Sequence, residues 1–357
     1  MSARPRVALV SGFWGQNIGN AFFNIGGKWI LEQIFGQGEV DFIQDQPGYW
    51  TFNNKLKGNP ANNVVLLKYL DVDYIVLQGP CLSAYFEPLW NETLTELTRR
   101  GTKLILLGAA FFKYTPEEIA AAKVMIDRFK PVLISTRDSR SYEILKDWVP
   151  HTHDGIDSAF FVPKAYTPFK LTKPYITLNF DRFPEPTITL DGPAEGEGTA
   201  FEELGHRWRL EIPKTQDWFS HKGKAEAYFG HLIDRRKLPA ELLGRMVVRP
   251  EHRMNPHLGW KIYSQPNALV ADEPWTYFTI YAGTELTLAD RVHACVMTLA
   301  YGNPAMLFTP SPRSALFERV GMTEIKQRPV RLDPGYLEEQ RQNELAFLKD
   351  AVAATAG

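Results

Sequence analysis

The sequence predicts an α/β protein made of two Rossmann-like domains. Short apolar runs alternate with helical patterns in both halves of the chain, and this alternation is typical of parallel sheets with helical crossovers. Turns rich in glycine or polar residues follow several of the apolar runs. In open α/β folds these turns lie at the carboxyl edge of the sheet, where ligands bind. A chain of 357 residues is long enough for two domains with substantial cores.

The first half of the chain predicts a doubly wound parallel sheet. Five apolar runs are each short enough to be a buried strand, and helical patterns follow most of them. The predicted strands cover about residues 6–11, 40–42, 74–77, 103–107 and 131–136, and the predicted helices cover about residues 23–34, 88–100, 116–129 and 137–148. The turn after the first strand, residues 12–20, does not match the GxGxxG pattern of dinucleotide sites.

The second half predicts another, less regular α/β domain. The predicted strands cover about residues 175–180, 246–249, 269–271, 284–289 and 305–309, and the predicted helices cover about residues 224–232, 239–243, 275–282 and 291–301. A passage rich in proline and lysine, residues 163–174, marks the junction between an N-terminal domain over 1–165 and a C-terminal domain over 170–357. The charged helix that begins near Gly335 is a candidate to pack back on the N-terminal domain. Two such domains describe a GT-B-like arrangement with an interdomain cleft at the carboxyl ends of both sheets.

The composition argues against several classes of partner. A formal net charge of −1, without a run of lysine or arginine, argues against nucleic acid. No apolar run approaches the roughly 20 residues that span a bilayer, and the chain enters a strand without a signal-peptide core, so we expect a cytoplasmic protein. Cys81 and Cys295 form no CxxC or zinc pattern, and no cluster of His, Cys and carboxylates has ligand spacing, so we expect no metal. The oligomeric state cannot be read from the sequence.

The segment 284–309 carries the most unusual helix start in the chain. Its predicted helix begins near Arg291, and Asp290 is the predicted N-cap, accepting from the backbone N–H of His293. Arg291 and His293 occupy the first turn, where acidic residues would suit the helix dipole better. Free N–H groups, a guanidinium and an imidazole together make a receptor for phosphate or carboxylate. The alternative is an arginine bridging to a nearby acid and a histidine packed at a strand end.

Other candidates follow predicted strands at the same kind of edge. After the first strand, Asn17 and Asn20 are candidates to hydrogen-bond ligand hydroxyls, or alternatively they cap a helix or satisfy a turn. Gly79 gives a second glycine turn after residues 74–77. Arg249 and His252 follow the strand at 246–249, and face either the cleft or solvent from a loop.

Three motifs together resemble the polysaccharide pyruvyltransferase family. Residues 16–20, Gln-Asn-Ile-Gly-Asn, resemble its G-N-x-G-D opening, and residues 135–141, which contain Arg137 and Asp138, resemble its central R-D-x-x-S element. Residues 290–294 and 302–304 resemble its D-R-L-H-a segment and the following G-x-P. The motifs appear in the family's order and cover most of the chain. Gln16 replaces the usual glycine and Asn20 the usual aspartate, departures that fall on the acceptor side.

The resemblance implies transfer of a pyruvyl group from phosphoenolpyruvate to a hydroxyl pair of a sugar or polysaccharide precursor, as a ketal, in exopolysaccharide biosynthesis. It implies that Arg291, His293 and Arg137 bind the anionic donor in the cleft. Gly79, Arg249 and His252 are further candidates to bind the donor anion, because each follows a predicted strand at the same edge. His293, as general acid, and Arg137 are then the candidate catalytic residues. Asp138 or Asp157 would orient an arginine or cap a helix. The implied acceptor is a glycan or lipid-linked sugar bound on the N-terminal side, at Asn17 and Asn20, and the reaction needs no cofactor beyond the donor.

Two other functions fit the same predicted architecture. A nucleotide-sugar glycosyltransferase of the GT-B type would need a carboxylate for the ribose, for which Glu285 and Asp290 are the nearby acids. A non-catalytic member of the fold would need neither Arg291 nor His293.

Overall fold

The computed structural model describes residues 4–12, 14–15, 17–44, 66–84, 86–180, 185–193, 195–213, 238–251, 267–308 and 311–355. The chain folds as two compact units. The first unit contains Met1–Thr167, Pro312–Gly321 and Pro334–Gly357, and the second contains Pro168–Ser311 and Met322–Asp333. The C-terminal helix therefore belongs to the first unit, although it follows the second unit in the chain.

Strands and helices alternate in both units, and the predicted α/β class is confirmed. The strands are β1 (Val7–Ser11), β2 (Val40–Gln44), β3 (Tyr74–Gln78), β4 (Lys103–Ala109), β5 (Leu133–Thr136), β6 (Thr152–His153), β7 (Tyr175–Asn179), β8 (Thr187–Leu190), β9 (Thr199–Glu203), β10 (His206–Glu211), β11 (Glu241–Leu242), β12 (Arg245–Glu251), β13 (Ala268–Val270), β14 (Thr287–Ala289) and β15 (Ala305–Leu307). The α-helices are α1 (Gly19–Phe35), α2 (Phe86–Arg99), α3 (Pro116–Phe129), α4 (Ser139–Leu145), α5 (Val162–Ala165), α6 (Trp275–Gly283), α7 (Val292–Ala300), α8 (Ala315–Arg319) and α9 (Pro334–Thr355).

The sheet of the first unit has six parallel strands in the order β2-β1-β3-β4-β5-β6. The chain passes from β1 to β2 on one side and then returns to place β3 on the other side of β1. The strand order therefore reverses between β1 and β3. Such a reversal opens a crevice at the carboxyl ends of the two strands, the usual ligand site of doubly wound folds.

Helices cover both faces of this sheet, as reversed strand order with right-handed crossovers requires. On one face, α2, α3 and α4 share an apolar cluster with alternate strand residues such as Ile75 and Leu77. On the other face, α1 and α9 pack against each other and against strands of the sheet. The central strands are buried on both sides, which explains their nearly continuous apolar sequences.

Helix α9 fixes the segment 154–161 against β5 through two buried charged side chains. Arg341 Nε donates to the carbonyl oxygen of Phe160 at 3.1 Å. Glu344 accepts from Ser135 Oγ at 2.6 Å and from the backbone N–H of Ile156 at 3.1 Å. Gly155 permits this close approach, because a Cβ there would lie 2.2 Å from Ser135 Oγ. The position of segment 154–161 therefore depends on α9.

The second unit contains a mixed sheet in the order β11-β12-β7-β14-β15, with β13 paired to β12. β11 is antiparallel to β12, and the other pairings are parallel. β12 and β14 lie on opposite sides of β7, so the strand order reverses here as well. Beside this sheet, β8, β10 and β9 form a separate antiparallel sheet. Its buried residues Trp208 and Leu210 join one core cluster with Ile176 and Leu178 of β7.

The helix predicted at 239–243 is wrong: this segment contains β11 and a hairpin turn. Leu243 and Gly244 have φ values of 54° and 70° and connect β11 to β12. Leu204 and Gly205, with φ values of 54° and 78°, connect β9 to β10 in the same way. Positive φ at both central residues is the signature of the type I′ hairpin turn, whose twist matches that of the flanking strands. The helix predicted at 224–232 lies outside the described residues.

Glu344 makes the stability of the first unit depend on pH. Burial raises the pKa of this carboxyl to about 7, against an ordinary value of 4.5. The neutral side chain therefore stabilises the fold fully below about pH 4.5, and this contribution is lost as the pH rises through 7. Glu344→Gln imitates the neutral form. We expect it to raise stability at about pH 8 by on the order of 3 kcal/mol and to have little effect near pH 4.5.

Thermal unfolding of both proteins across this pH range tests the expectation. Glu339→Gln, at an exposed position of the same helix, is the control and should follow the wild type. Equal melting temperatures of wild type and Glu344→Gln at about pH 8 would contradict the assignment.

Candidate functional site

Gly79 lies at the point where the strand order of the first sheet reverses. It directly follows β3 with a φ of 72°, a conformation that favours glycine. Its carbonyl accepts from the backbone N–H of Ala110 at 3.1 Å and of Cys81 at 2.7 Å, and a Cβ would lie 3.0 Å from the ring of Phe23. The structure thus gives Gly79 a turn-forming role, and its part in anion binding stays a prediction.

Asn17 and Asn20 form a short turn at the start of α1. Asn17 Nδ2 donates to Asn20 Oδ1 at 3.2 Å, and the backbone N–H of Asn20 donates to the carbonyl of Asn17 at 2.9 Å. The Asn20 side chain also lies against Gly12, where a Cβ would be 2.5 Å from Asn20 Nδ2. Both side chains therefore satisfy a turn beside the carboxyl end of β1. Their role in acceptor binding stays a prediction.

A polar network missed in the sequence crosses this point of the first sheet. Trp14 Nε1 donates to Asn24 Oδ1 at 3.0 Å, and Asn24 Nδ2 donates to Gln78 Oε1 at 2.9 Å. Gln78 Nε2 in turn donates to Ser158 Oγ at 3.4 Å. Asn24 is fully buried, and the network joins the turn after β1 to the end of β3. The sequence could have indicated this network, because Asn24 lies on the apolar side of the helical pattern of α1 and a buried amide needs hydrogen-bond partners.

Arg137 follows β5 directly and is only 1% exposed. Its Nη1 donates to Asp157 Oδ2 at 3.1 Å, and both side chains of this ion pair are buried. The other carboxylate oxygen of Asp157 accepts from the backbone N–H of Ala159 at 2.9 Å. Asp157 therefore both orients the arginine and caps a turn. Within the described residues Nη1 donates to a protein atom, whereas Nε and Nη2 have no protein acceptor.

Asp138 holds the start of α4 rather than the arginine beside it. Its carboxylate accepts from the backbone N–H of Ser141 at 2.7 Å, from Ser141 Oγ at 3.1 Å and from the hydroxyl of Tyr114 at 2.8 Å. Burial, assisted by the Asp138 charge, raises the pKa of Tyr114, which keeps the phenol a hydrogen-bond donor. The R-D-x-x-S motif therefore combines a buried arginine, paired with Asp157, and an Asp–Ser helix cap.

The structure places Arg291 and His293 together at the amino end of α7, where the strand order of the second sheet reverses. The first turn of α7 contains no acidic residue, and His293 is 9% exposed. Arg291, not Asp290, is the N-cap residue, with φ −100° and ψ 117°. The predicted N-cap is therefore wrong by one residue. The reason is that Asp290 still continues the strand pairing, donating its N–H to the carbonyl of Asn179 at 3.2 Å.

Buried polar side chains surround this helix start. Tyr281 donates its hydroxyl to Asn179 Oδ1 at 3.2 Å, and Asn179 Nδ2 donates to Glu251 Oε2 at 3.4 Å. Burial raises the pKa of Tyr281 well above its ordinary value, Tyr277 and Glu251 raise it further, and the Arg291 charge opposes them. These groups thus share one environment at the carboxyl ends of β7, β12 and β14. The sequence could have indicated this polar environment, because the apolar strands β7 and β12 end in the polar residues Asn179 and Glu251.

The guanidinium of Arg249 forms hydrogen bonds within the second unit. Its Nε and Nη2 donate to the two carboxylate oxygens of Glu185 at 3.2 and 3.4 Å, and its Nη1 donates to the carbonyl of Pro239 at 2.8 Å. Its side chain is fully buried. All three guanidinium nitrogens have protein acceptors, in contrast to Arg137. His252 lies outside the described residues.

The described residues contain neither a metal-binding cluster nor a membrane-spanning helix. No group of three or more His, Cys, Asp and Glu side chains among these residues could hold a metal ion. None of the described helices is long and apolar enough to cross a bilayer.

The chain belongs to the polysaccharide pyruvyl transferase family, whose model matches residues 17–312. The family is one of transferases, and the recognition made from the three motifs is confirmed. A search among curated proteins found no significant sequence match.

Several solved structures have a similar fold. MnaA of S. aureus, solved with UDP, has a TM-score of 0.50 and 10% identity, covering 97% of this chain and 91% of that one. UDP-GlcNAc 2-epimerase of Methanocaldococcus jannaschii has a TM-score of 0.45 and 12% identity, covering 96% and 99%. The epimerase of Neisseria meningitidis, bound to UDP-GlcNAc, has a TM-score of 0.46 and 11% identity, covering 97% and 93%. At such identities the likeness to MnaA shows the fold alone.

The buried bidentate ion pair between Arg249 and Glu185 should stabilise the second unit. Glu185→Gln leaves a buried guanidinium without its counter-charge, so we expect a loss of about 3 kcal/mol. A lower urea midpoint for the second unit would show it. Glu202→Gln removes the carboxylate of an exposed pair with Arg207 in the same unit, and should change stability by less than about 1 kcal/mol. Equal midpoints for the two variants would contradict a structural role for Arg249.

Proposed function

We propose that this protein transfers the pyruvyl group of phosphoenolpyruvate to two hydroxyls of a sugar or lipid-linked precursor of an exopolysaccharide, in the cytoplasm. Family membership supports the class of reaction. The observation that carries the proposal is the placement of Arg291 and His293 at the amino end of α7, where the strand order of the second sheet reverses. Both backbone and side-chain donors converge on a helix start there.

The chemistry of the donor matches these groups. Phosphoenolpyruvate carries a phosphate and a carboxylate on one small carbon frame, and arginine's planar fork binds either group bidentately. Protonation of the enol methylene by His293 makes the neighbouring carbon electrophilic, and the first sugar hydroxyl adds to it. Phosphate then leaves and the second hydroxyl takes its place. The two hydroxyl protons account for the new methyl hydrogen and the proton on released phosphate.

The proposal also includes residues of the first unit, namely Arg137, Gly79, Asn17 and Asn20. Gly79 enters it only by its position in the turn after β3. Arg137 keeps guanidinium donors for an anion, which supports a catalytic and donor-binding role. Asn17 and Asn20 lie at the reversal point of the first sheet, where an acceptor hydroxyl would meet them. Arg249 is better explained as a buried structural group, because its donors are used by Glu185 and Pro239.

A nucleotide-sugar glycosyltransferase is less well supported. The UDP in the S. aureus structure belongs to that protein, and a similar fold does not transfer its ligand. A ribose-binding carboxylate would have to lie near α7. Of the two candidate acids, Asp290 alone lies beside the start of α7, and Glu285 precedes β14 at the amino edge of the sheet, where it pairs with Arg245 at 2.5 Å.

The donor is tested by incubating the protein with phosphoenolpyruvate and a panel of glycans and lipid-linked sugars. We expect phosphate release that depends on an acceptor, with a pyruvyl ketal on the product by mass spectrometry. In thermal shift, phosphoenolpyruvate and not UDP should raise the melting temperature, since a ligand stabilises the state that binds it. Stabilisation by UDP alone, with no phosphate release, would overturn the proposal.

Variants at α7 test the two residues separately. Arg291→Lys keeps the positive charge but loses the planar guanidinium that can bind an anion with two hydrogen bonds. We therefore expect kcat/KM for phosphoenolpyruvate to fall about 10- to 100-fold. His293→Gln removes the general acid, and kcat should fall about 100- to 10,000-fold. His206→Gln, at the first residue of β10 in the separate antiparallel sheet, is the matched control and should behave as wild type. Unchanged kinetics in both α7 variants would remove them from the mechanism.

A further inference from the structure

We propose that Arg140 binds a phosphate or carboxylate group of a substrate at the carboxyl edge of the first sheet. The inference rests on the proposed function for the identity of the substrates. It extends the anion-binding groups beyond the residues that the family motifs indicate, because Arg140 occupies a variable position of R-D-x-x-S.

Arg140 is an exposed arginine that is nevertheless held in place. Its guanidinium carbon lies 4.0 Å from the centre of the Tyr114 ring. Among the described residues no carboxylate lies within the 4.0 Å that defines an ion pair with it. A guanidinium stacked on an aromatic face is already oriented, so it loses less freedom when it binds an anion. An arginine with this geometry and no acidic partner is available to a ligand.

The Tyr114 platform is itself fixed at both ends. Its φ of 60° lies in the left-handed region, which is unfavourable for a bulky residue. Glu118 maintains it by accepting from the backbone N–H groups of Lys113 and Tyr114, both at 2.7 Å. The hydroxyl donates to Asp138 at 2.8 Å. Strain of this kind persists only where surrounding contacts impose it, and it is common at ligand sites.

Tyr114 also brings Arg140 into the neighbourhood of Arg137. The Arg137 charge acts on the Tyr114 phenol, opposing the rise in pKa that burial causes, while Arg140 covers the ring of the same tyrosine. Arg137 is buried and tied to Asp157, whereas Arg140 is exposed. Both arginines thus lie in the stretch just after β5, and Arg140 is the one in contact with Tyr114. Positive charge gathered in this stretch favours a ligand with an anionic group.

The anionic group has two possible sources, the donor and an acidic or phosphorylated acceptor. Steady-state kinetics distinguishes them, because Arg140→Gln should raise the KM of the substrate whose anion it binds by about 10-fold. A rise in KM for phosphoenolpyruvate assigns the donor. A rise confined to a phosphorylated or uronic acid acceptor assigns the acceptor. In either case kcat should stay within about two-fold of wild type.

The control is a second arginine that stacks on an aromatic ring away from this edge. Arg128 is exposed and lies 5.3 Å from the ring of Phe129 at the end of α3, where the chain enters the amino end of β5. Arg128→Gln should leave both KM values unchanged. Arg140→Lys retains charge without the planar fork, and should give an intermediate KM.

Binding of inorganic phosphate supplies a readout that needs no turnover. Calorimetric titration should show weaker phosphate binding for Arg140→Gln than for wild type and Arg128→Gln. Equal phosphate affinity and equal KM values in Arg140→Gln and wild type would overturn the inference. If the wild type shows no transfer of pyruvate, the proposed function fails, and the phosphate titration still decides whether Arg140 binds an anion.

Discussion

The buried ion pair between Arg137 and Asp157 is the interaction on which the first unit's site depends. A buried charge is tolerated only with a partner in good geometry, so the two residues must be brought together accurately. Arg137 is positioned by the end of β5. Asp157 is positioned by the segment 154–161, which α9 holds through Arg341 and Glu344. A helix far along the chain thus determines where a guanidinium lies at the edge of the sheet.

In both units a buried asparagine lies near the point where the strand order of the sheet reverses and hydrogen-bonds to neighbouring polar side chains. The crevice that opens there exposes backbone groups at strand ends, and buried amides satisfy neighbouring polar atoms in each unit. In the first unit Asn24 connects to Gln78, and in the second Asn179 connects to Tyr281 and Glu251. Each network leaves cationic groups at the same edge. Polar side chains therefore serve as a rigid support for the cationic residues beside them.

The parts of the fold that depend on local pattern were predictable from the sequence. Buried parallel strands are continuous apolar runs, and Arg291 and His293 stood out because their charges oppose the dipole of the helix they begin. The hairpins at 204–205 and 243–244 were missed because Leu-Gly is a weaker turn signal than Asn-Gly. The bond from Tyr281 to Asn179 and the stack of Arg140 on Tyr114 join residues distant in sequence, which no local pattern encodes. The N-cap error at Asp290 arose from pairing with β7, a tertiary effect.

The placement of α9 has a consequence for how the protein is made. The first unit needs Pro334–Gly357, yet residues 168–311 of the second unit are synthesised before that helix. Chains emerge from the ribosome at roughly 5–20 residues per second, and domains usually fold in the order of synthesis. The second unit is complete only at Asp333, so the first unit, which begins first, receives its last helix after every segment of the second unit has been made. Until then β5 lacks the cover that α9 provides.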